Sequence, residues 1–227
     1  MVVGDFTMVH ATKPIAKGEE ITVCYDGPKL LQEPFEKRMR DMQMDWQFQC
    51  SCRLCLAQAR CSPAEHSKRD ELAKVAKEIM HAPWSVPNSY QRMEQLAREI
   101  AATYDADLYS GLPLMATIPA HVFFFVHTRA ANDSFKTMRS AIGLLRACGY
   151  QVDLQNNEIC HVAPTANSFI WNELDVVRKP LIDQALKAHI AGNTKTAKHL
   201  LDFASTLERI CSGGDVETSK TRNEYSV

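Results

Sequence analysis

The chain has 227 residues, 45% of them hydrophobic and 23% charged, with 9 Gly and 10 Pro. That balance describes a folded globular protein and excludes a disordered or fibrous one. With 26 Lys and Arg against 27 Asp and Glu the net charge is -1, so no overall positive field exists to hold a phosphate backbone or an anionic membrane, and direct nucleic-acid binding is not expected.

Two extended runs open the chain, Val2 to Thr12 and Glu20 to Tyr25, with Lys13 to Gly18 as the turn between them. From Pro28, a proline suited to a first helical turn, Leu30, Leu31, Phe35, Met39 and Met42 recur at helical spacing and predict one amphipathic helix reaching Trp46. Between Cys50 and Pro63 the period is lost and four of the 8 Cys crowd together. This stretch is expected as a loop organised by something other than apolar packing. Beyond Ser67, Leu72, Val75, Ala76 and Ile79 mark one helix face, and Met93, Leu96, Ala97 and Ile100 mark another after a proline-bounded break. Pro113 to Ala130 is apolar nearly all round, as a central helix is. Its most apolar part, ending at Val126, is shorter than the roughly 20 residues of a bilayer span, and no membrane association is expected. Asp133 is a good N-cap for a helix carrying Phe135, Met138, Ile142 and Leu145, with Gly149 as its stop. After a polar stretch, Gln151 to Asn167, a last helical pair is predicted, Phe169 to Ile190 and Ala197 to Leu207, turning at Gly192-Asn193. The tail from Ser212 is polar and expected to be loose.

The residues before Asp5 lack the basic-then-apolar design of a secretory signal. An intracellular setting, nucleus or cytoplasm, is therefore expected, in which cysteines are thiols or metal ligands before they are disulfides. The sharpest chemical signal is Cys50-Ser-Cys52-Arg-Leu-Cys55. Three thiolates at this spacing can bend round one ion, and a structural zinc site wants four. Cys61 could close the site locally, and so could a cysteine from elsewhere in the fold. Cys160-His161 is a lone pair without neighbouring ligands. His121, His127 and Phe123 to Phe125 read as packing, and Met42 and Met44 as adaptable filler.

Taken in order, Gly4-Asp5 before a strand, the stretch Ala11 to Tyr25, a helix with a central arginine, and then Trp46-Gln-Phe48-Gln-Cys50-Ser-Cys52-Arg-Leu-Cys55 resemble the closing third of a SET domain and its post-SET zinc loop. The resemblance is to SET proteins related to the SET-and-MYND group, including fungal members whose SET region adjoins tetratricopeptide-like helices. It implies transfer of a methyl group from S-adenosylmethionine to a lysine of a protein substrate, a histone among the candidates. On it, Tyr25 is the tyrosine that lines the lysine channel and orients the amine, Trp46 and Phe48 are the aromatic residues that wall the channel and pack on the cofactor's adenine, and Cys50, Cys52 and Cys55 hold zinc. The family's earlier Gly-x-Gly and Asn-His-Ser-Cys segments, the second of which supplies the fourth zinc ligand, have no counterpart in this sequence. The resemblance therefore implies the C-terminal portion of such an enzyme, one that binds cofactor poorly and is inactive alone.

The expected fold is mainly α with a small β remnant. Residues 1–27 would be the last strands of a partial SET core, 28–63 a helix and zinc loop, 64–211 tetratricopeptide-like helical hairpins, and 212–227 a tail. The rival reading is a non-catalytic, zinc-containing helical scaffold that presents a groove to a peptide.

Overall fold

The computed structural model describes residues 2–3, 6–7, 15–18, 33–82, 87–155, 158–164 and 174–212. Within them the protein is mostly helical, as the periodicity requires. Strands β1 (Val2–Val3) and β2 (Phe6–Thr7) pair antiparallel, Val2 opposite Thr7 and Val3 opposite Phe6. Within the run expected as one strand, Val2 to Thr12, the described residues thus form two short strands paired with each other. The second predicted strand, Glu20 to Tyr25, lies outside the described residues.

Helix α1 (Phe35–Trp46) begins later than Pro28, since Pro34 stands outside it in extended conformation as the N-cap. It buries Arg38 and Met42. The Cys50-to-Pro63 stretch is not all loop: α2 (Arg53–Ala59) buries Leu54, Cys55, Ala57 and Gln58. Helix α3 (Pro63–His81) starts four residues before Ser67. Ser62 accepts from the Glu65 N–H and Glu65 reaches back to the Ser62 N–H, a reciprocal cap with proline in the first turn. Helix α4 (Ser89–Ala101) buries Met93, Leu96 and Ile100, the face that the spacing assigned to it.

The apolar run from Pro113 enters helix only after a 3-10 turn (Met115–Thr117), as α5 (Ile118–Ala130). Helix α6 (Ser134–Ala147) is capped by Asp133, whose carboxylate accepts from the Lys136 N–H at 3.0 Å. Gly149 ends it at φ +86, and an added Cβ there would meet the Pro113 ring at 3.0 Å. A β-hairpin follows that the polar composition hid. Strands β3 (Tyr150–Gln155) and β4 (Glu158–Pro164) pair antiparallel, with a register irregularity between Asp153 and Leu154. Helices α7 (Leu174–Ile190) and α8 (Thr194–Ser212) close the fold as a hairpin about Gly192-Asn193.

Two apolar cores result. One gathers Met93, Ile100, Ala76, Ala120 and Phe123 between α3, α4 and α5. The larger one joins α5, α6, β3, α7 and α8 around Phe125, Leu144, Leu145, Leu181, Phe203 and Leu207, and α2 reaches it through Leu54 and Ala57. Phe123 and Phe125 are packing residues, and Met42 is core while Met44 is 72% exposed. Among the described residues no helix is long and apolar enough to cross a membrane.

Candidate metal centre

The chain leaves α1 through Gln47, which takes the left-handed conformation at φ 57 and returns its N–H to the Gln43 carbonyl. That reversal sends Phe48, Gln49 and Cys50 back toward α2. Cys52 is the N-cap of α2, its Sγ accepting from the Cys55 N–H at 3.5 Å. Cap and third helical residue lie on one side of a first turn, so Cys52 and Cys55 face each other and Cys50 joins them. The three Sγ atoms lie within 4.8 Å of one another, Cys55 buried, Cys50 half-buried and Cys52 exposed. Ligands about 2.3 Å from a tetrahedral zinc stand roughly 3.8 Å apart, so a small contraction of this group would enclose an ion. The cluster could hold a metal ion.

The protonation of the thiols fits that role. The Cys55 thiol donates to Cys52, and with the Cys55 backbone N–H this pulls the Cys52 pKa down to about 5. The same hydrogen bond, with burial, pushes Cys55 far up, and burial raises Cys50. A divalent cation would take the place of the protons that such neighbouring thiols carry.

Other sequence-derived candidates stand as follows. Cys61 is drawn into a different environment, its Sγ 3.3 Å from the Tyr109 hydroxyl and 3.6 Å from the Ala57 carbonyl, outside the three-thiol group. Trp46 is half-exposed at the end of α1 and Phe48 is half-buried two residues before Cys50. Tyr25 lies outside the described residues, as do the side chains of Cys160 and His161. His121 is a packing residue held against Gly143, and His127 stacks on Phe123 with ring centroids 3.9 Å apart.

Three neighbours of the centre were given no role at it from the sequence. Arg38 is fully buried and donates to the Gln58 amide oxygen and, at 3.8 Å, to the Cys55 sulfur. An arginine set between Phe35 and Met42 on an apolar stripe is the signal that would have found it. On the far side of α2, buried Arg69 lies 4.0 Å over the Tyr104 ring and donates to the Thr103 carbonyl at 2.6 Å and to the Tyr109 hydroxyl at 3.4 Å. A cleft between the start of α1 and α3 is lined by Glu33, Phe35, His66, Asp70, Lys77 and Tyr104. There His66 stacks on Phe35 and contacts the Gln58 carbonyl at 2.8 Å.

No family model matches the sequence, and no solved structure matches it. The chain is similar to a curated protein of Gibberella zeae named methyltransferase, with 28% identity over 102 residues, which cover 45% of this chain and 14% of that protein. This chain therefore corresponds to a small part of that relative's length.

Proposed function

We propose that this chain is the C-terminal portion of an S-adenosylmethionine-dependent protein-lysine methyltransferase of the SET kind, with a zinc ion held by Cys50, Cys52 and Cys55. The observation that carries the reading is the convergence of those three thiols immediately after the Trp46-Gln-Phe48 aromatic pair. Similarity to a protein named methyltransferase supports methyl transfer as the chemistry. Zinc is the ion that soft thiolates at tetrahedral spacing select. The fourth ligand is assigned to the Asn-His-Ser-Cys segment of the family rather than to Cys61, whose thiol is engaged with Tyr109.

S-adenosylmethionine, when bound, supplies an activated methyl group on a sulfonium. The chain's own part is alignment. Tyr25 would hold the substrate amine through a neutral phenol, since a pKa near ~10 lets it donate without losing its proton. Trp46 and Phe48 would wall the lysine channel and the adenine site, and their ring faces favour a cationic sulfonium or ammonium. An apolar channel also lowers the lysine's pKa, which leaves the amine neutral and nucleophilic. The zinc loop fixes where the two rings stand. The substrate is a lysine-bearing protein, a histone among the candidates, and the tetratricopeptide-like hairpins offer it a peptide-binding surface.

The test uses the longer protein that carries this segment, loaded with zinc and supplied with methyl-labelled cofactor and candidate substrates. Label is expected on protein lysines, lost in Tyr25→Phe and strongly reduced in Phe48→Ala, while this chain alone shows weak cofactor binding by calorimetry. A folded, zinc-loaded longer protein that neither binds the cofactor nor labels a substrate would replace this reading with the scaffold.

A further inference from the structure

Arg38 has no exposed surface at all, and a guanidinium out of water is costly unless its donors meet strong acceptors. Its Nη2 donates to two groups of α2, the Gln58 amide oxygen and the Cys55 sulfur at 3.8 Å. Cys55 and Gln58 are three residues apart and so share one face of that helix. Arg38 itself comes from α1, and its guanidinium lies 5.8 Å from the Phe35 ring centroid. A single side chain thus links α1 to the sulfur that is buried deepest in the thiol cluster.

Resting on the metal reading above, we propose that Arg38 is a positioning residue of the metal centre. It orients Cys55 as a ligand through an N–H···S hydrogen bond and offsets the negative charge of the metal-thiolate group. Three thiolates on a divalent ion leave one net negative charge and four leave two, so the loaded site has an excess that a fixed cation nearby stabilises. Gln58 holds the guanidinium in place, and both bonds leave one Nη2 of a rigid planar group, a placement that the flexible lysine ammonium does not reproduce. Through Arg38, occupancy of the site is also tied to the seating of α1, whose last residue is Trp46.

The experiment compares the full chain with Arg38→Met and Arg38→Lys. Each is loaded with zinc for transfer to a chromophoric chelator, and with cobalt(II) for the sulfur-to-metal charge-transfer band. Far-ultraviolet circular dichroism monitors folding. Arg38→Met is expected to lose zinc about 10- to 100-fold faster, the range for residues that support metal ligands. Its cobalt band should move to lower energy, because the sulfur loses a hydrogen bond that stabilises its lone pair. Arg38→Lys should fall between it and the wild type in both readouts, and it decides the matter if the methionine variant does not fold. Folded variants with wild-type release rate and spectrum would overturn the role of Arg38 while leaving the metal site standing. A wild-type chain that binds neither ion would overturn the metal reading itself, and this inference with it.

Discussion

The stretch from Phe35 to Cys61 and the α5–α6 hairpin are similar in length but are held by different forces. The hairpin buries Ile118, Ala120, Phe123, Phe125, Met138, Ala141, Ile142, Leu144 and Leu145, and its helices lie against each other along their lengths. The α1–α2 stretch buries Arg38, Met42, Leu54, Cys55, Ala57 and Gln58, and among the described residues neither helix has an extended interface of the α5–α6 kind. In one region burial of apolar area supplies the stability. In the other, Arg38, Cys55 and Gln58 put hydrogen-bonded polar groups and a thiol into the interior beside Met42, Leu54 and Ala57, and such groups stabilise only when every donor and acceptor is matched. The three thiols that could hold a metal ion lie in the second kind of interior.

That contrast is most easily broken by removing the ion that the cysteine cluster is proposed to hold. Chelation, or Cys52→Ser, should release zinc and remove hydrogen-exchange protection from residues 46–61. The α5–α6 amides should keep theirs, because structural zinc contributes on the order of 10 kcal/mol to the segments that fold around it. Equal loosening of both regions would show that they are one cooperative unit. The converse substitution, Leu144→Ala, removes a side chain with no exposed surface and should cost about 2–5 kcal/mol in denaturant unfolding with zinc content unchanged.

Acid should act on the apolar region through His121. Burial holds its pKa down to about 4, below the ~6.5 of an exposed imidazole, so the folded state resists the proton that the unfolded state accepts. Its contribution is complete above about pH 6.5 and declines as pH falls toward 4, by up to about 3 kcal/mol. His121→Phe should flatten that part of the stability profile. A profile with the same slope in the variant would assign the acid sensitivity to other groups. The smallest effect is expected at the crossing of the two helices. A Cβ on Gly143 would stand 2.7 Å from His121 Nδ1, an overlap that costs roughly 1–3 kcal/mol, against about 1 kcal/mol gained in helix propensity. Gly143→Ala should therefore destabilise the wild type modestly and stabilise a His121→Ala background, and a double-mutant cycle without coupling would contradict the contact.

The same contrast decides what could be read in the sequence. The apolar helices were legible because repeated leucines, methionines and alanines mark one face, and because Asp133 and Gly149 punctuate α6 where they were expected. Helix α2 was hidden because its cysteines stand out as ligands, while Leu54, Ala57 and Gln58 form too short a run to show a period. The hairpin of β3 and β4 was hidden by the polar composition of the stretch from Gln151. Tyr150 and Val152 do alternate inward, and Asn156-Asn157 is a turn-favouring pair between the strands. The start of α3 shifted to Pro63 because the reciprocal Ser62–Glu65 cap outweighed periodicity, while α1 starts at Phe35 after Pro34, which stands outside the helix. At the candidate site, the three thiols were legible from spacing alone. Arg38 was legible only as the central arginine of a helix, because a charged residue reads as surface until its apolar neighbours place it in the interior. The position of Cys61 was not legible, because its engagement with Tyr109 spans 48 residues of chain.

Sulfur coordination of an ion by Cys50, Cys52 and Cys55 is the central claim. Zinc-edge X-ray absorption of the chain, purified without added metal or chelator, tests it. The expected result is a single bound zinc per chain with a shell of three or four sulfurs at about 2.3 Å, reduced by one sulfur or lost altogether in Cys55→Ser. A chain free of zinc whose residues 46–61 are nonetheless protected from exchange, or a zinc shell without sulfur, would contradict it.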